Sequence, residues 1–262
     1  MNIVKMENLE TNYQKFDVFK NLNLDIKQGK ITTIIGPNGC GKSTLLKTMG
    51  RILKQKSGKV YLQGQDLNNI PTKEIAKHLA LLPQSPIAPS QLKVKELISY
   101  GRYPHRNNAN TLLPKDKKII EWAMDITKTT SFGNRELENL SGGQRQKVWI
   151  AMALAQETEV LLLDEPTTSL DMAHQLDVLQ IVEKLNKERK RTIVMVLHDI
   201  NHAARFSHEI VAMKEGKIIK VGTPTEVITH DVLKEVFHID ARIMIDSHNG
   251  APVCFSYEAC SK

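Results

Sequence analysis

Short aliphatic and β-branched runs, rather than one long periodicity, organise this chain. Ile31–Ile35 is a continuous run of Ile and Thr closed by glycine, the pattern of a strand buried on both faces of a parallel sheet. Val160–Leu163 and Thr192–Leu197 repeat that pattern far downstream. Between the two, Leu176, Leu179, Val182 and Leu185 fall three apart and predict a helix with one apolar face. Strand, helix, strand, with polar residues at the strand ends, predicts an α/β fold on a parallel sheet. Ahead of this core, short strands and turns such as Lys59–Leu62 before Gly64 predict an antiparallel β region. Residues 86–155 have few β-branched runs and show helical patterns at Lys93–Tyr100, Asp116–Thr127 and Val148–Ala155. They are expected to form a helical sub-domain inserted into a core of residues 1–85 and 156–262. The tail predicts a hairpin (Ile210–Ala212, Gly216, Lys217–Val221) and a helix over Pro224–Phe237.

The sharpest chemistry follows the first buried strand. Gly36, Pro37, Asn38, Gly39, Cys40, Gly41, Lys42, Ser43 and Thr44 fit the P-loop pattern between a strand and a helix. Glycines let consecutive backbone N–H groups turn towards phosphate oxygens, and the helix adds its positive N-terminus. Lys42 is then placed for the β- and γ-phosphates of ATP and Ser43 for Mg2+. Asp164 and Glu165 close the strand Val160–Leu163. Carboxylates there suit a magnesium contact through water (Asp164) and activation of an attacking water (Glu165).

Composition narrows the class. Hydrophobic residues make up 41% and charged residues 25%, the balance of a globular protein. No apolar run approaches the ~18 residues of a membrane helix, and no signal-peptide pattern opens the chain, so the protein is expected to stay where it is made. The cysteines, Cys40, Cys254 and Cys260, are too few and scattered for a disulfide framework or zinc cage, which points to a reducing compartment. A redox role for Cys254 and Cys260 stays open at this point. The net charge of +7 suits nucleic acid, an acidic membrane surface or a phosphate substrate. The cations are dispersed, and the one dense run, Lys187–Arg191, ends a predicted helix where positive charge favours the macrodipole.

Leu140-Ser141-Gly142-Gly143-Gln144, ahead of an apolar helix, resembles the signature of the ABC ATPase family. The resemblance spans nearly the whole chain. It implies a P-loop (RecA-like) parallel-sheet core with an N-terminal antiparallel β sub-domain and an inserted helical sub-domain. It also implies that Ser141, Gly142, Gly143 and Gln144 close on ATP held by a second copy in a head-to-tail dimer. Tyr13 resembles the aromatic that stacks on adenine, and Gln84, after Leu81-Leu82-Pro83, the glutamine that touches magnesium and senses the membrane partner. Ser169-Leu170-Asp171 resembles the D-loop, with Asp171 near the nucleotide, and His198 the switch histidine on the γ-phosphate. By this resemblance Glu165, His198 and Gln84 serve catalysis, and Ser43, Gln84 and Asp164 serve magnesium.

The short interval between Lys42 and Ser141 holds no heptad run, unlike relatives that maintain chromosomes. One motor per chain differs from translation-factor relatives, and the short stretch after His198 from sugar importers. Gly101-Arg102-Tyr103-Pro104-His105, Met195-Val196-Leu197-His198-Asp199-Ile200-Asn201 and Ile239-Asp240-Ala241-Arg242 resemble the iron-chelate and cobalamin uptake motors, nearest the ferric-siderophore (ferrichrome-type) group. The expected partners are a second copy, a separate integral-membrane permease and, indirectly, an extracytoplasmic substrate-binding protein. The expected place is the cytoplasmic face of the membrane, with no nucleic acid bound. Cobalamin or haem uptake, and a non-transport ATPase acting on nucleic acid or ribosomes, are the alternatives.

Overall fold

In the computed structural model, which describes residues 1–13, 16–106 and 111–260, the chain divides into two units: residues 1–69 with 192–262, and residues 70–191. Residues 13 and 16 are described by their backbone only.

The first unit opens with two strands longer than the short runs expected, β1 (Asn2–Tyr13) and β2 (Phe16–Lys27). They are followed by β3 (Ile31–Ile35), α1 (Lys42–Met49), β4 (Ser57–Leu62) and β5 (Gln65–Asp66). Strands β2, β1, β4 and β5 form an antiparallel sheet in that order. Met6 faces Leu24 on one side and Val60 on the other, and all three are buried. Alternation thus puts one face of this sheet on the core while Lys5 and Glu7 pair outside it.

The second unit comprises α2 (Thr72–His78), β6 (Leu79–Leu82), α3 (Val94–Tyr100), α4 (Pro114–Ile126), α5 (Gly142–Ala155), β7 (Val160–Leu163) and α6 (Met172–Arg189). Strands β6 and β7 run parallel, with Leu82 opposite Leu163. Helices α3, α4 and α5 pack together, and Gly101 is where α3 meets α5 (a Cβ there would strike the Met152 carbonyl).

The chain then completes the first unit with β8 (Thr192–Val196), α7 (Ile200–Phe206), β9 (Glu209–Lys214) and β10 (Lys217–Gly222). Its end holds α8 (Pro224–Val227), α9 (His230–Phe237), β11 (Ile239–Ile245) and β12 (Pro252–Ala259). Strand β3 lies between β8 and β9, parallel to both, and is buried throughout. The helix expected over Pro224–Phe237 is two helices. Thr229 leaves helical backbone and its Oγ1 accepts from Val232 N–H at 3.4 Å, starting α9 afresh. The antiparallel pair β11–β12 had no counterpart in the sequence reading.

Candidate functional site

In the first unit the site is built at the ends of β3 and β8. Their register pairs Ile34 with Val196, and Leu197 N–H donates to Ile34 C=O at 3.3 Å. Gly36 and His198 therefore leave neighbouring parallel strands at the same end, where ligands bind in open α/β sheets. Gly36 (φ 154°) leaves no room for a side chain: a Cβ would strike the Met213 carbonyl and lie 2.8 Å from Cys40 Sγ. Gly41 (φ 106°) sits in the left-handed region against the ring of Phe19. It starts α1, and among the described residues no side chain hydrogen-bonds as its cap. The first-turn N–H groups thus face the loop with their positive end.

Lys42 is 5% exposed, and its Nζ donates to Gly36 C=O at 2.8 Å and Pro37 C=O at 2.9 Å. Cys40 is buried, which pushes its thiol pKa up despite the Lys42 charge, and its carbonyl accepts from Gly216 N–H at 3.0 Å. The loop is therefore braced from the β9–β10 turn. His198 is exposed, and the following Asp199 caps α7 by accepting from His202 N–H at 2.7 Å. The side chain of Tyr13 lies outside the described residues.

In the second unit, Asp164 and Glu165 follow β7 and Gln84 follows β6 by one proline. Asp164 is 3% exposed, and its N–H donates to Leu82 C=O at 2.9 Å, extending the strand pair. Glu165 turns into positive φ (52°), an uncommon state for a side-chain residue that aims its carboxylate back along the strand ends. There Gln84 Nε2 donates to Glu165 Oε2 at 2.5 Å and Thr168 Oγ1 donates to the same oxygen at 3.0 Å. Gln84 and Glu165, far apart in sequence, are in direct contact.

Ser141 and Gln144 form a capping box at the head of α5. Ser141 Oγ accepts from Gln144 N–H at 3.2 Å, and Gln144 Oε1 accepts from Ser141 N–H at 3.1 Å. Gly142 faces open space, whereas Gly143 lies under the ring of His174. Asp171 caps α6 and accepts from His174 N–H at 2.9 Å and His174 Nδ1 at 2.7 Å. These bonds, led by the backbone N–H, hold its carboxyl below the usual range. Thr168, His174 and Gln175 were missed in the sequence. The spacing Asp-x-x-His at the start of a predicted helix was the available signal for His174.

The family model described as "ABC transporter" matches residues 19–168. The iron(3+)-hydroxamate import ATP-binding protein FhuC of Bacillus subtilis (strain 168) is 55% identical over 98% of this chain and 96% of its own length. The ferric enterobactin transport ATP-binding protein FepC of Escherichia coli (strain K12) is 41% identical over 94% of this chain and 91% of its own. Among solved structures, a chain of an inward-facing metal-chelate type ABC transporter superposes with a TM-score of 0.83 at 29% identity, covering 98% of each chain. The dimeric structure of the bacterial cassette MJ0796 gives 0.75 at 30% identity over 84% of this chain and 98% of that one. A glycine loop feeding an uncapped helix, a strand-end carboxylate gripped by a glutamine, and this full-length similarity make one case: the chain belongs to the ABC transporter family, as an ATP-binding and ATP-hydrolysing cassette.

Proposed function

We propose that this cassette powers the uptake of a ferric siderophore of the hydroxamate class through a separate permease, working as a head-to-tail dimer at the cytoplasmic face of the membrane. The observation that carries the reading is the 55% identity, over nearly the whole chain, to an iron(3+)-hydroxamate import ATP-binding protein. An extracytoplasmic binding protein would deliver the cargo to the permease.

Each residue has a part in that reading. The backbone N–H groups of residues 38–44 and Lys42 Nζ hold the β- and γ-phosphates, with Gly36 and Pro37 shaping the loop, and His198 contacts the γ-phosphate. Ser141, Gly142, Gly143 and Gln144 complete the nucleotide site of the other copy, with Asp171 beside it, and Tyr13 stacks on adenine. Glu165 orients and deprotonates the attacking water, and its contact with Gln84 lets the permease-sensing loop govern that step. The donor chemistry suits magnesium: Ser43 offers a hydroxyl and Asp164 a carboxylate. Gln84 spends its amide N–H on Glu165, so its carbonyl oxygen is the atom a metal would take. Bound there, magnesium would neutralise charge on the phosphates.

Replacing the base should separate binding from hydrolysis. Glu165→Gln is expected to bind ATP, lose about 10²–10⁴ in turnover and accumulate as a closed dimer. Purified in mild detergent with ATP, it should bring down a polytopic permease identifiable by mass spectrometry. Normal turnover by Glu165→Gln would remove the catalytic assignment, and recovery of ribosomes or nucleic acid without a permease would remove the transport reading.

A further inference from the structure

The capping turn of α6 does more than start a helix. His174 Nδ1 is tied to Asp171 Oδ2 at 2.7 Å, which fixes the plane of the imidazole. The opposite edge of that ring lies over Gly143. A Cβ at Gly143 would overlap His174 Cδ2 and sit 2.7 Å from Cγ and 2.9 Å from Nε2, well inside van der Waals contact. On the other side of Asp171, Gln175 Nε2 donates to Leu170 C=O at 2.9 Å, and Ser169 is held at φ 63°. Thr168 then reaches Glu165 at 3.0 Å, and Glu165 reaches Gln84 at 2.5 Å. One turn along both helices, Lys147 Nζ and Asp177 Oδ2 pair at 2.5 Å and clamp α5 to α6.

We infer that His174 is a positioning residue that couples the two nucleotide sites: anchored on Asp171, its ring sets where the Ser141–Gln144 loop stands relative to the Glu165 carboxylate of the same chain. This rests on the proposed reading in which that loop serves the partner's ATP and Glu165 serves its own. A rigid contact between them then makes closure on one nucleotide felt at the other. Gly143 is glycine because the ring occupies the space of a side chain. Swinging the ring away would break its bond to Asp171.

Two measurements test this. In the Glu165→Gln background with ATP, His174→Ala should raise the protein concentration for half-dimerisation about tenfold, while ATP binding to the single chain is unchanged. His174→Asn restores the Asp171 hydrogen bond without the ring and should not rescue dimerisation. Equal dimerisation of the parent and His174→Ala, or full rescue by His174→Asn, would overturn the inference. The second measurement is a thermal cycle on the nucleotide-free chain, which stays valid whatever the dimer does. Gly143→Ala should lower the melting temperature by about 4 °C in the parent and leave it level or higher when His174 is Ala. The same loss in both backgrounds would show that the ring contact does not constrain Gly143. If Glu165→Gln itself stayed monomeric with ATP, the sandwich reading would fall, and the thermal cycle would still decide the contact.

Discussion

At Cys40, conformation and chemistry meet in a single side chain. Its thiol is buried beneath the loop, close enough to Gly36 that a Cβ there would meet the sulfur at 2.8 Å. Burial raises its pKa, so the reactive thiolate is scarce at neutral pH. A bulky thiol reagent should therefore modify Cys40 slowly near pH 7 and faster as pH rises, with ATP protecting and the modified chain losing nucleotide binding. Peptide mass spectrometry beside a binding assay checks this, and full binding after verified modification of Cys40 would refute it. Lys42→Ala should also lose ATP binding, because it removes the charge that the loop carbonyls of Gly36 and Pro37 hold in place for the phosphates on the proposed reading. The loop was legible in the sequence because its glycines are demanded by local backbone geometry. For His174 the Asp-x-x-His spacing signals only the helix cap; its contact with a tertiary neighbour, Gly143, is what no local spacing announces.

Among the elements, α5 is held at both ends by polar contacts. Its head is the Ser141–Gln144 box; its tail receives Arg102, whose Nη1 donates to Ala155 C=O at 2.8 Å. Arg102 and Asp116 are each 1% exposed and pair at 2.9 Å, with Glu157 3.3 Å from the same guanidinium. Next to them, His105 bonds Gln156 C=O at 2.7 Å, and the Gln156 amide donates to Ala76 C=O at 2.7 Å, tying α5 to the helix before β6. Burial alone would raise the pKa of Asp116, but the Arg102 hydrogen bond, the Leu113 N–H and the Arg102 charge together hold it below the ordinary value. Asp116→Ala leaves a buried cation without its main partner and should cost about 3–5 kcal/mol in urea unfolding. A depressed carboxylate stabilises fully above its unfolded pKa, near ~3.9, and loses that contribution as pH falls through the folded value. The parent should thus converge on Asp116→Ala in acid, and a gap independent of pH would contradict the pair's role. Elements such as β3 and β7 were readable because burial on both faces leaves an uninterrupted apolar run. Strands β11 and β12 were not, because exposed Met244, Ile245, Phe255 and Tyr257 mix with polar neighbours and blur the alternation.

For the whole molecule, the proposed function divides labour between this chain and its partners. Among the described residues no helix is long and apolar enough to cross a membrane, and no cluster of three or more His, Cys, Asp and Glu is arranged to hold a metal ion. A ferric siderophore presents a shielded iron, so a protein that recognises it needs a pocket shaped to the chelate rather than ligands for the metal. On the proposed reading, Lys42 on its loop carbonyls serves phosphate, and Glu165, held by Gln84, serves water. ATP turnover by the isolated cassette should accordingly be indifferent to ferric hydroxamate over the whole saturation curve. On that same reading, the cassette reconstituted with a permease and an extracytoplasmic binding protein in proteoliposomes should turn over faster when cargo is added, because a conformational change would then reach Gln84. Steady-state ATPase assays on both preparations decide the matter. Cargo dependence in the isolated chain would mean that the cassette itself reads the chelate. Indifference in the full assembly would mean that the cargo, rather than the motor, has been misassigned.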